Sequence, residues 1–243
     1  MRFLVKPNKF RQTPLLLKRS LGARKLVSYP GRYQPALDYR QDLFLAFPST
    51  DRYPNRISNV PASYSLLSSF YSSSKASQRS LITQYGVKTP EAYTSTHFIV
   101  RPLSHFGGHN YRITTDSNDY NPSTEYISPA FHKWREYRVV FVKGNPLVIL
   151  RKKPGPEAQP FEAWNHTNGS YFQTVIDTAS SPLLQTSFLT DAGNHPVLRD
   201  SHLIAVDVLL DREHNYAVTE FNFSPALTIP SNIEVITNAL AHL

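Results

Sequence analysis

The segment running from Leu203 to Asn222 constrains the fold more than any other stretch. It holds two apolar runs, Leu203-Ile204-Ala205-Val206-Asp207-Val208-Leu209-Leu210 and Tyr216-Ala217-Val218-Thr219-Glu220-Phe221-Asn222, joined across Asp211 to Asn215. Each run suits one strand, and the join is short enough for a hairpin. Three polar side chains interrupt the pattern: Asp207 on the first strand, and Glu220 and Asn222 two apart on the second. Alternation along a strand puts residues i and i+2 on one face, so Glu220 and Asn222 point together. Pairing them near Asp207 gathers three oxygen-bearing side chains between apolar neighbours. Such hard donors suit Mg2+, which takes one or two protein carboxylates and completes its shell with phosphate and water. The competing reading is a polar stripe on the solvent face of a half-exposed sheet.

Other stretches supply the remaining elements. Arg138-Val139-Val140-Phe141-Val142, a Gly144-Asn145 turn and Leu147-Val148-Ile149-Leu150 predict another hairpin. Phe98-Ile99-Val100 reads as a strand, and Leu43 to Phe47 as a buried one stopped by Pro48. Helical spacing predicts a short helix carrying Leu15, Leu16, Leu17, Leu21 and Leu26, with Lys18, Arg19 and Arg24 outward. A second helix runs from Lys75 to Tyr85 and stops at Gly86, and a terminal one covers Ile233 to Leu240. Pro54, Asn55 and Asn59 mark a loop, while Ser63 to Ser77 reads equally as linker or helix. Helices mixed with antiparallel hairpins indicate an α+β class without internal repeats.

Composition sets the limits. The chain has 243 residues, 40% of them hydrophobic and 12% aromatic, which suffices for a packed core. It has no cysteine, so a disulfide framework, a thiol nucleophile and a cysteine zinc site are excluded. Nine histidines lie without zinc-ligand spacing, and no Gly-x-Ser-x-Gly elbow is present. No apolar run reaches bilayer-spanning length, and Met1 to Lys6 does not read as a secretory signal; a soluble cytoplasmic protein is expected. The net charge is +8, and seven cations from Lys6 to Lys25 precede the first acid, Asp38. A solvated basic face explains them, with non-specific polyanion affinity as the sharper alternative. The Pro154 to Pro160 loop reads as a connector or as a cap over a site.

In their order along the chain these residues resemble ATP-grasp ligases, in particular the ribosomal-protein glutamate ligase branch. The Val206–Leu210 and Thr219–Pro225 stretches look like that family's metal-binding end, with Ala226 where glycine usually follows the proline. Phe98-Ile99-Val100-Arg101-Pro102 resembles the strand whose closing cation contacts phosphate. His105-Phe106-Gly107-Gly108-His109 resembles the small glycine loop after it, where missing side chains let backbone N–H groups approach phosphate. Thr124-Glu125-Tyr126-Ile127 is similar to the hinge strand facing adenine, and Arg135-Glu136-Tyr137-Arg138-Val139 to a Glu-Tyr-Arg-Val element. Lys152 and Lys153 end the next strand where relatives carry a basic residue near the nucleotide; solvated edge lysines are the alternative. Trp164-Asn165-His166-Thr167-Asn168-Gly169 is similar to an Arg-Asn-x-x-x-Gly stretch, with Trp164 replacing the arginine. Lys75 and Arg79 look like part of the helix leading into the central lobe.

The resemblance implies an α+β ATP-grasp fold, two lobes gripping ATP, with a shortened N-terminal α/β lobe over residues 1–74 and the ATP-grasp domain over 75–243. It implies Mg2+ (or Mn2+) on Asp207, Glu220 and Asn222. ATP would lie against Lys75, Arg101, Gly107, Gly108, Glu125, Tyr126, Ile127 and Lys152, and the catalytic residues would be Arg138, Lys153 and Asn165. The implied activity is carboxylate–amine ligation through an acyl phosphate, on acid and amine partners that include proteins or peptides and no membrane. Compact ATP-grasp proteins of bacteriophages are similar. The first alternative is a non-catalytic ATP-grasp-fold interaction protein of a virus particle, favoured by Trp164, the single Met and the short N-terminal lobe. The second is a basic nucleic-acid-associated protein.

Overall fold

The computed structural model describes residues 3–7, 12–29, 36–45, 57–103, 110–158, 164, 169–175, 181–223, 225 and 229–243. The N-terminal part comprises β1 (Phe3–Pro7), α1 (Gln12–Ser20), β2 (Lys25–Tyr29), β3 (Leu37–Asp38), β4 (Leu43–Phe44) and β5 (Ile57–Ser58). β1 pairs in parallel with both β2 and β4, and β3 pairs in parallel with β5. Leu26 is not on the helix as its spacing predicts. α1 stops at Ser20, Gly22 takes φ +60°, and Leu26 enters β2 opposite Leu4. Of the helix's leucine run, Leu17 is buried while Leu15 and Leu16 stay exposed. Pro48, Pro54 and Asn55 lie outside the described residues.

The serine-rich stretch is helical. α2 (Tyr64–Ser72) and α3 (Lys75–Thr83) divide it, and Ser74 caps α3 by accepting from the Ser77 N–H at 3.2 Å. Gly86, at φ +83°, follows α3 at the predicted stop. Next come β6 (Phe98–Pro102), β7 (Arg112–Thr114) and β8 (Glu125–Pro129), an antiparallel sheet with β6 in the middle.

The C-terminal sheet is built from β9 (Arg135–Val142), β10 (Asn145–Lys153) and β11 (Tyr171–Thr174). After α4 (Phe188–Gly193) and α5 (Pro196–Asp200), β12 (Ile204–Leu210) and β13 (Tyr216–Asn222) complete it, and α6 (Pro230–Ala241) follows. The strand order is β11-β10-β9-β12-β13, all antiparallel. Both predicted hairpins are present. The first turns at Lys143-Gly144, one residue earlier than predicted, with both residues at positive φ as a tight hairpin turn requires. A Cβ on Gly144 would meet the Arg199 backbone at 3.1 Å, which explains why glycine stands there.

This sheet is covered on both faces, so its central strands read as continuous apolar runs. One face carries Tyr137, Val139, Phe141, Ile149, Val206 and Val208 into the larger core cluster. The other carries Val140, Val142, Val148, Leu150 and Ala205 beneath α6 and against Leu4, Leu17 and Leu43 of the N-terminal part. Apolar cover on this second face ends at Arg138 and Asp207. Among the described residues no helix is long and apolar enough to cross a membrane.

His195 in the core gives a pH test. It caps α5 by accepting from the Val197 N–H at 3.2 Å, and it packs edge-on to Tyr85 and Phe221 at 4.9 Å. Burial pushes its imidazole from 6.5 down to about 4. The folded state therefore favours neutral histidine, and the associated stability is complete above pH 6.5 and lost as pH falls toward about 4. A shift of that size corresponds to about 3 kcal/mol. Urea midpoints are expected to fall across that window, and His195→Asn, which keeps a capping acceptor, should remove most of the slope. An unchanged slope in the variant would refute the assignment.

Candidate functional site

The polar residues occupy successive cross-strand rows on one sheet face. One row runs Glu220, Asp207, Arg138, Leu150 across β13, β12, β9 and β10; the next runs Leu209, Glu136, Lys152, Phe172 across β12, β9, β10 and β11. Asp207 and Glu220 are direct cross-strand partners, and Asn222 stands opposite Ala205 one step along. A bulge produces this arrangement. Val208 pairs with Val218 and Asp207 with Glu220, so Thr219 is an extra residue, its hydroxyl donating to the Asp207 carbonyl at 3.2 Å. The bulge reverses the parity of β13. Tyr216 and Val218 remain in the core, while Glu220 and Asn222 turn to the face of Asp207.

Every acid in these rows meets a cation. Arg138 grips Asp207 in a two-pronged bond, Nε to Oδ1 at 2.6 Å and Nη2 to Oδ2 at 2.8 Å. Burial pushes the Asp207 carboxyl up, but Arg138, helped by Lys152 and Lys75, more than offsets this and holds it below the usual carboxylate range. Lys75, at the start of α3, bonds Glu220. One turn later Arg79 reaches the Thr219 carbonyl, pairs with Glu91 at 2.8 Å and lies over the Tyr126 ring. Glu136 accepts from Lys152 at 2.6 Å and from Lys133 at 2.9 Å. Phe172 forms an aromatic floor under Arg138 and Lys152, at 4.8 and 5.4 Å.

The β6–β8 sheet supplies the opposing wall. Arg101 pairs in register with Tyr126 and hydrogen-bonds it, within the field of both Arg79 and Glu220. Burial, then repulsion from Arg79, pushes its guanidinium below the ordinary range. Among the described residues β8 is an edge strand, and alternate backbone groups of Glu125, Tyr126 and Ile127 face away from β6. The Glu125 side chain ties down the connection from β7 to β8, accepting from Arg112 at 2.5 Å and from the Asn121 N–H at 2.9 Å.

Cations from α3, β6, β9 and β10 thus outnumber the carboxylates they surround. An arrangement of this kind takes an anionic ligand, and its acid pair suits a cation accompanying that ligand. Among the described residues no three of His, Asp and Glu gather as a metal cluster. Asp207, Glu220 and Asn222 offer two carboxylates and one amide, and in this structure Arg138 and Lys75 engage the two acids; hard donors of this kind, with phosphate oxygens and water, match what Mg2+ takes.

Comparison with solved structures decides the architecture. A D-alanine–D-alanine ligase from Bacillus anthracis matches with a TM-score of 0.60, over 99% of this chain and 96% of that one, at 11% identity. The ATP-grasp ligase PsnB, complexed with minimal precursor, Mg and ADP, matches with a TM-score of 0.59 over 99% and 96%, at 13% identity. The fold is ATP-grasp. The macrocyclase MdnC from Microcystis aeruginosa, bound with precursor peptide MdnA, also matches, with a TM-score of 0.54 over 100% and 99%, at 11% identity. No family model matches the sequence, and no curated protein does. The likeness runs over 99–100% of this chain and so includes the N-terminal part.

Within that fold, Lys75, Arg101, Tyr126, Arg138, Lys152, Asp207 and Glu220 come together, with Asn222 beside them. Lys153 does not join them: by alternation it leaves β10 on the face opposite Lys152. Gly107, Gly108 and Asn165 lie outside the described residues. Lys133 and Phe172 are additions that no motif signals: Lys133 pairs with Glu136 three residues on, and Phe172 enters through its cross-strand partner Lys152. Trp164, standing where the resemblance has arginine, is buried under the Lys133 ammonium at 4.5 Å.

Proposed function

We propose that this chain is an ATP- and magnesium-dependent ligase that joins a carboxylate to an amine through an acyl phosphate. The observation that carries it is the Asp207–Glu220 pair on adjacent strands, ringed by Lys75, Arg101, Arg138 and Lys152 within an ATP-grasp fold. A structural descendant has no physical reason to keep buried acids opposed by that many cations. Asp207, Glu220 and Asn222 would hold Mg2+, or Mn2+ with similar hard-donor preference, whose chemistry is to bridge and neutralise ATP phosphates.

The chain's residues then divide the work. Arg101 and Lys75 offset charge along the polyphosphate, and the outer edge of β8 offers backbone groups to adenine. Arg138 and Lys152, stacked over Phe172, face the transferring phosphoryl group. A substrate carboxylate attacks the γ-phosphorus and releases ADP; an amine then attacks the acyl carbon and releases phosphate. Positioning and charge neutralisation suffice, so no nucleophilic side chain is required. Lys133 over Trp164 supplies positive charge near the point where arginine is missing, which favours activity over an inert relative. Lys152 takes the role that the sequence divides between Lys152 and Lys153. The peptide-bound neighbours make a peptide or protein substrate the preferred class.

The test is ADP release with ATP, Mg2+ and pools of amino acids and peptides, followed by mass spectrometry of products. Release that needs both an acid and an amine, with a product lighter by one water than their sum, is expected. Nucleotide binding without any such product would favour the non-catalytic alternative.

A further inference from the structure

On the opposite face of the C-terminal sheet, β9, β10 and β11 enclose a cavity against Ser181 and Pro182. Its volume is about 280 Å3, and Arg135, Tyr137, Arg151, Gln173 and Ser181 line it. Register explains why these side chains meet: Arg151 is the cross-strand partner of both Tyr137 and Gln173, and Arg135 lies two residues from Tyr137 on the same face. Arg138 and Lys152 leave β9 and β10 in the other direction, toward Asp207 of β12.

Three residues that line this cavity each carry a buried polar atom without a hydrogen-bond partner among the described residues: Arg135 Nε, Arg151 Nε and Ser181 Oγ. Ser181 is only 3% exposed. Buried polar groups are normally paired, so three orphans around one cavity need an explanation. Arg135 is otherwise well held, its guanidinium 3.7 Å over the Trp134 ring and its Nη1 donating to the Tyr137 hydroxyl at 3.3 Å. That hydroxyl keeps its own proton to donate. The named lining is rich in donors, and no carboxylate stands among the described residues that form it.

We propose that this cavity is a second binding site, for a small oxyanion group carried by a carboxylate or phosphate ligand. The two guanidiniums supply planar N–H donors of the kind that pair with the oxygens of either group, and Ser181 stands beside them as a further donor. Arg135 and Arg151 are diagonal neighbours of like charge, so an anion between them also removes a repulsion. The site stands apart from the nucleotide reading and does not depend on it.

The experiment is calorimetric titration of the full chain with inorganic phosphate and with glutarate, at ionic strength matched with chloride. The tighter of the two assigns the ligand's anionic group. Arg151→Gln and Ser181→Ala are each expected to weaken binding tenfold or more. Repeating the titrations with Lys152→Gln separates the faces, because cavity binding survives there and fails in Arg151→Gln. Anion-free Arg151→Gln should also melt higher than the parent chain, since it relieves repulsion and breaks no side-chain bond among the described residues; a merely structural arginine would lower it. Binding no stronger than chloride's, or undiminished in both cavity variants, overturns the proposal.

Discussion

Replacing Arg138 by alanine is expected to destabilise the ligand-free chain by about 3–5 kcal/mol, the usual cost of stranding one partner of a buried ion pair. Asp207 is 8% exposed and both its oxygens are engaged by one guanidinium. Without Arg138 the carboxylate must ionise unpaired or take up a proton. Lys152 and Lys75 contribute to its field, but Lys152 is committed to Glu136 and Lys75 to Glu220. Urea midpoints measure the loss directly. The double variant Arg138→Gln, Asp207→Asn should recover most of it, because neutral amides of similar shape leave no buried charge. Acid provides a further check. The folded carboxyl lies below its unfolded value of 3.8, so the pair's contribution is complete above that pH and is lost as pH falls through the folded value. A single-variant cost under about 1 kcal/mol would mean that water reaches the pair, as at an exposed salt bridge.

The size of that effect changes how catalysis must be tested. Lost ADP release in Arg138→Ala would mix misfolding with missing charge. Arg138→Lys keeps the charge and removes the fork, so it is the variant whose turnover bears on phosphoryl transfer.

Several of these relations were legible in the sequence and others were not, for physical reasons. Strand alternation correctly joins Glu220 to Asn222, since it depends only on neighbours in one strand. It does not bring Glu220 to Asp207. Counting back by twos from Glu220 reaches Val218 and Tyr216, both core residues, and by that parity the acid would be buried too. Only the bulge at Thr219 resolves the conflict, and a bulge is a property of two paired strands. The same applies to Lys152 and Lys153. Either could face a nucleotide until pairing with Glu136 selects Lys152. The Arg135–Arg151 cavity leaves no linear trace, because pairing between β9 and β10 creates it. Leu26 fitted the helical spacing because a period of roughly four also meets the next strand; the turn at Gly22 decided the outcome.

Glu220 permits a cleaner test of the metal site than Asp207 does, and the expected result is large. Its carboxylate is partly exposed, and its partner Lys75 is more exposed still, at 22% and 30%. Such a pair contributes little to the apo fold. Glu220→Gln also keeps an oxygen that the Lys75 ammonium can donate to. Asn222→Ala removes an amide at the end of β13 and shortens one side chain. The apo protein should therefore keep its fold, and each chain's rise in Tm is read against its own apo value. Mg2+ with ATP at a hundredfold excess over Kd adds about 2.7 kcal/mol to a chain that binds it only when folded. For a chain of this length that is a rise of roughly 5–10 °C in Tm. The double variant Glu220→Gln, Asn222→Ala is expected to lose most of this rise, and the difference between Mg2+–ATP and ATP alone should disappear. Binding itself is the readout, so the result holds whether or not turnover is ever seen. An equal rise in parent and variant would place the cation elsewhere, and Asp207 with Glu220 would then be a structural pair matched to Arg138 and Lys75.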